Sequence, residues 1–129
     1  MATPVPATHD PTEVDAAPAW RMLAWLAGAE LLGMSLWFAA SAVSAQYRAL
    51  WDLSASQVAW LTTVVQLGFV AGTAVSALLN LADLVPARRL FAGCAMLGAA
   101  ANALTLTASG LPAALGWRFL TGVALAGVY

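Results

Sequence analysis

Long apolar stretches separated by short polar turns run along most of the chain. The first extends from Met22 to Ser44 with Glu30 as its only charge, and its length matches the ~20 residues that cross a bilayer as a helix. Ser54-Ala55-Ser56-Gln57 then reads as a capping box, in which the Ser54 hydroxyl and the Gln57 amide satisfy amides left unpaired at a helix start. A second helix is therefore expected from Ala55 to Ala82. Asp83 to Arg89 forms a polar turn, with Pro86 suited to the first position of a third helix that reaches Ala108. Ser109-Gly110-Leu111-Pro112 makes the next turn, and a fourth apolar stretch occupies residues 113–129. The pattern predicts an all-α, multi-pass transmembrane bundle of four spans.

Residues 1–20 differ from the rest. They hold four of the six prolines and three of the six acids, with few apolar side chains to bury, and are expected to form a disordered tail. An acidic, proline-rich opening before so long an apolar stretch does not read as a secretory leader. In the loops, Arg21, Arg88 and Arg89 fall on one side and Arg48 on the other. The excess of arginine on cytoplasmic loops then places the N-terminus inside, in a plasma membrane of the bacterial inner-membrane type. Trp20 and Trp25 would lie at the inner interface, and Trp51, Trp60 and Trp117 at the outer one.

Composition narrows the function. Hydrophobic residues make up 62% of the chain and charged ones 9%, with a net charge of -1, so the chain has no basic footprint for nucleic acid. One cysteine and a lone His9 in the tail offer neither a disulfide nor a metal site, and no cofactor is expected. Neither a nucleophile pattern nor a phosphate loop nor paired carboxylates on a shared face is present, so no enzyme is expected.

Helical periodicity sorts the remaining positions. Gly68, Gly72 and Ser76 lie on one stripe of the second span, Gly98 on a similar stripe of the third and Gly122 on the fourth, a pattern that suits close helix packing. Thr62, Thr63, Gln66 and Thr73 fall on the other side of the second span. Threonines there are expected to bond back to their own helix, whereas the Gln66 amide suits a neutral solute or a neighbouring helix.

Glu30 carries the strongest single signal, about 12 Å along its helix and so near mid-membrane. A charge at that depth costs on the order of 3 kcal/mol, so it pairs with a cation or takes up a proton. Glu30 is thus a candidate for proton coupling, with the Trp37 indole on the same face. Arg118 is the second buried charge. Three roles compete for it: partner of an acid, Glu30 among the candidates; anion site; or a side chain reaching out to the interface. The acid partner is preferred over the anion site.

Asp83 followed by Arg88 and Arg89 in a tight inner turn resembles the loop between the second and third helices of the major facilitator superfamily. Leu81, Ala82, Asp83, Arg88 and Arg89 match its G-x-L-A-D-R-x-G-R-R-R/K signature, while Leu79, Leu84 and Pro86 depart from it. Arg118 and Gly122 are similar to the R-x-x-x-G signature of the fourth helix, and the stretch from Trp51 to Leu61 looks like the usual start of the second. The resemblance implies a secondary transporter of two six-helix halves with its small-molecule substrate near mid-membrane. It further implies that this chain is a front portion, lacking the remaining helices of the full-length carrier. In the family the loop acid and arginines latch the inner gate. A four-helix exporter of the small multidrug resistance type and a non-transporting membrane scaffold are the rival readings.

Overall fold

A computed structural model describes residues 16–129, so most of the expected tail, His9 included, lies outside the described residues. All of the described elements are helices: α1 (Ala16–Ala42), α2 (Ser44–Trp51), α3 (Ala55–Leu78), α4 (Leu81–Leu84), α5 (Ala87–Thr105) and α6 (Leu111–Leu125). The chain divides into two compact units at Glu30–Leu31. The first contributes the N-terminal part of α1, where Trp20, Met22, Leu23, Trp25 and Leu26 are exposed. The second holds the remaining elements.

Two helical segments, Pro18–Trp51 and Ala55–Leu78, are long and apolar enough to cross a membrane; α6 is apolar but shorter. The third expected span, α5, has 19 residues and carries Arg88 and Arg89 in its first turn, which dilutes its apolar character.

The element boundaries depart from the sequence pattern for local reasons. The α1 helix starts at Ala16, and so takes in Pro18 where the tail was expected; in a first turn proline's missing N–H costs no helical bond. At Val43 the helix breaks, and α2 occupies what reads in the sequence as a loop. The Ser44 hydroxyl donates to the Ser41 carbonyl at 2.9 Å, a back-bond that competes with the helical ladder. Tyr47 then stacks on Trp51, ring centroids 4.7 Å apart, and donates its hydroxyl to the Thr105 carbonyl at 3.2 Å, tying α2 to the end of α5. Tyr47, Leu53, Leu61 and Ala114 form a small buried cluster there.

The α3 helix begins as its capping box requires. Ser54 N–H donates to Gln57 Oε1 at 2.8 Å and Gln57 N–H to Ser54 Oγ at 3.2 Å. It ends at Leu78 rather than Ala82, because Asn80 adopts a left-handed conformation with φ 52°. Asparagine tolerates that region better than most residues. Its Nδ2 donates to Asp83 Oδ2 at 2.6 Å, opening the short α4 turn. Pro86 caps α5 from just outside, its carbonyl accepting from the N–H of Arg89 and of Leu90. The last helix starts at Leu111, so Pro112 lies in its first turn instead of the preceding loop.

The tightest packing is between α3 and α6, followed by α5 against α6. Gly68, Gly72 and Gly122 are the points of contact. A Cβ at Gly68 would run into the Phe119 backbone, one at Gly122 into the Val65 backbone, and one at Gly72 would stand 2.7 Å from the Val123 carbonyl oxygen. Without side chains at these three positions the two backbones come into direct contact and gain dispersion energy from it.

Candidate functional site

At the level of Leu61 the packed helices close around one side chain. Arg118 is completely buried, as are Leu61, Val65 and Thr121 around it. Its Nε donates to the Leu61 carbonyl at 3.3 Å, and one Nη2 hydrogen goes to the Trp37 carbonyl at 3.1 Å. Its Nη1 serves two acceptors, the Leu36 carbonyl at 3.1 Å and Asn102 Oδ1 at 2.8 Å. A residue of α6 is thereby bonded to α1, α3 and α5 at once.

The chemistry of those acceptors matters. Carbonyls inside a helix already accept one hydrogen bond, and their second lone pair remains for the guanidinium. The planar fork of arginine reaches several acceptors in fixed directions, which a lysine ammonium does not. All four acceptors are neutral. The expectation of an acid partner for Arg118 is therefore corrected, and so is the alternative that it reaches out to an interface. Close helix approach brings three carbonyl oxygens to a cation for which a carboxylate was the preferred partner.

A cavity of about 420 Å³ adjoins this arrangement between α1 and α5, bordered by Leu36, Ala39, Tyr47, Asn102, Ala103, Leu106 and Arg118. A second cavity of about 280 Å³ lies on the other side of α6, where Gly72, Ser76, Leu90, Cys94 and Gly127 form an almost wholly apolar lining.

Each of the other sequence candidates has surroundings of its own. Trp37 is half-buried; its ring tilts against Phe69 with centroids 5.4 Å apart, and Phe69 meets Tyr129 edge-on at 6.5 Å. Gln66 is exposed on α3. Thr63 and Thr73 bond back to the carbonyls of Ala59 and Phe69, as threonines in helices do, while Thr62 pairs its hydroxyl with that of Ser41 at 3.4 Å. Glu30 is exposed on α1. Asp83, Arg88 and Arg89 are exposed around the α3–α5 turn, with Asp83 engaged by Asn80. Gly98 is buried, and a Cβ there would press on Leu36 at 3.2 Å.

Asn102 is the one side-chain acceptor of the site that the sequence pattern did not single out. A lone carboxamide inside an otherwise apolar span is the signal that points to it, since such a group needs partners. The three carbonyls leave no trace in sequence, because any residue type supplies one.

The described residues thus define an all-helical protein with two helices of membrane-crossing length, built around a buried arginine. No protein-family model, curated protein or solved structure matches the chain.

Proposed function

We propose that this chain is the amino-terminal part of a secondary transporter of the major facilitator type, moving a small solute across the plasma membrane. The observation that carries the reading is the buried Arg118 with Gly122 one turn on, the first tying three other helices to α6 and the second seated on the α3 backbone. Together they give the R-x-x-x-G resemblance a physical role. Large exposed side chains, among them Leu32, Leu78 and Met96, support a lipid-facing surface rather than an aqueous one. The turn holding Asp83, Arg88 and Arg89 lies on the proposed cytoplasmic side, where positive charge favours retention. Glu30 is the proposed coupling group, its proton accompanying the solute.

Vesicles containing the protein expressed from its complete reading frame, loaded with a preset pH gradient, test this. A transported solute collapses the gradient, and Glu30→Gln stops that collapse while leaving solute-for-solute exchange intact. Retention of gradient-coupled flux in Glu30→Gln defeats proton coupling through this residue. Stable capture of partner helices with no solute flux under any gradient defeats the transport reading in favour of a scaffold.

A further inference from the structure

The cavity between α1 and α5 joins two features that the transport reading does not use. First, none of its lining residues is acidic. Second, its polar groups are committed in a one-sided way. The Tyr47 hydroxyl donates to the Thr105 carbonyl, and the Thr105 hydroxyl to that of Ala101. Asn102 Oδ1 is taken by Arg118, and no described residue accepts from Asn102 Nδ2. The amide that Asn102 leaves to the cavity is therefore a donor, and behind it stands a full positive charge whose acceptors are neutral.

We propose that this cavity is a binding site for a small monocarboxylate with an apolar body. The carboxylate accepts from Asn102 Nδ2, and its charge opposes that of Arg118 across a space of low polarity, where Coulomb attraction is stronger than in water. Leu36, Ala39, Ala103 and Leu106 pack the apolar part. About 420 Å³ falls within the range of roughly 300–1,000 Å³ usual for small-molecule sites. Arg118 is wholly buried, so the ligand meets the amide and senses the cation through it. A neutral ligand of the same shape keeps the packing and loses the charge, so charge is what separates this site from a merely greasy void. Binding at this site does not depend on transport.

Equilibrium dialysis of the protein in an uncharged detergent, with radiolabelled benzoate and its neutral isostere benzamide, is the test, empty micelles serving as blank. Saturable benzoate binding is expected, about tenfold tighter than benzamide, the order that separates a hydrogen bond to a charged group from a neutral one. Arg118→Gln, which keeps a polar side chain and removes the charge, should bring the two ligands level. Ala103→Leu, which adds three carbon atoms to the cavity wall and leaves Arg118 and Asn102 unchanged, should weaken binding of both. The proposal is overturned if benzoate does not saturate, if benzamide binds as well, or if Ala103→Leu leaves binding unchanged.

Discussion

Arg118 Nη1 and Asn102 Oδ1 lie 2.8 Å apart, the shortest of the four hydrogen bonds around the buried guanidinium and the only one made to a side chain. It is also the one bond there that a single substitution can delete while the helices remain in place. Asn102→Leu keeps the branched shape and leaves one Nη1 hydrogen without an acceptor. A loss of about 1–3 kcal/mol is expected, the cost of an orphaned buried donor, measured as a lowered unfolding midpoint in detergent.

The glycines divide into two groups that exchange to alanine should separate. Gly68→Ala and Gly122→Ala force the α3 and α6 backbones apart and should each cost about 1–3 kcal/mol, as overpacked cores do. Gly93 and Gly116 have nothing within 4 Å of an added Cβ. Alanine at either lies in a helix and should stabilise it by up to about 1 kcal/mol. Parallel melts of the four variants would show opposite signs, and equal effects in both groups would remove the glycine contact as the reason these helices meet.

At Asn80 two effects act together. Replacing it with alanine leaves the Cβ in a left-handed conformation without the carboxamide that makes that region tolerable, at about 1–2 kcal/mol, and also loses the bond to Asp83. Asn80→Gly loses only the bond. The alanine variant should therefore melt lower than the glycine variant, and should show faster hydrogen exchange confined to the α3–α5 turn.

The α2 helix is tested at one atom. Tyr47→Phe keeps the stack on Trp51 and deletes the hydroxyl bond to Thr105, so about 1 kcal/mol should be lost. Tyr47→Ala also removes a buried ring and should cost about 3–5 kcal/mol. A difference between these two near zero would mean that the stack contributes nothing.

What could be read from the sequence depended on how local each cause was. The capping box at Ser54 and Gln57 lies within four residues, and both of its bonds are present. Gly68, Gly72 and Gly122 are legible for a similar reason, since a stripe of missing side chains is itself a sequence pattern. The α2 helix was not, because it lies in a short polar connection where no apolar periodicity marks a helix. Nor were the partners of Arg118 legible. They lie up to 82 positions away in the chain, and three of the four are main-chain atoms. A search for a charge to match a charge looks for an acid, whereas the fold answers with dipoles.

The order of the helices around Arg118 bears on how the protein is made. The residues that accept its hydrogen bonds belong to α1, α3 and α5, all of which precede α6 in the chain. On the membrane reading proposed above, each of them has left the ribosome before the arginine does. The costliest side chain to insert is thus delivered to a receptor already complete, and α6 never waits in lipid for a partner still to be synthesised. Moving α6 ahead of the other spans by circular permutation would reverse that schedule with the contacts unchanged, and membrane insertion, rather than final stability, is what should suffer.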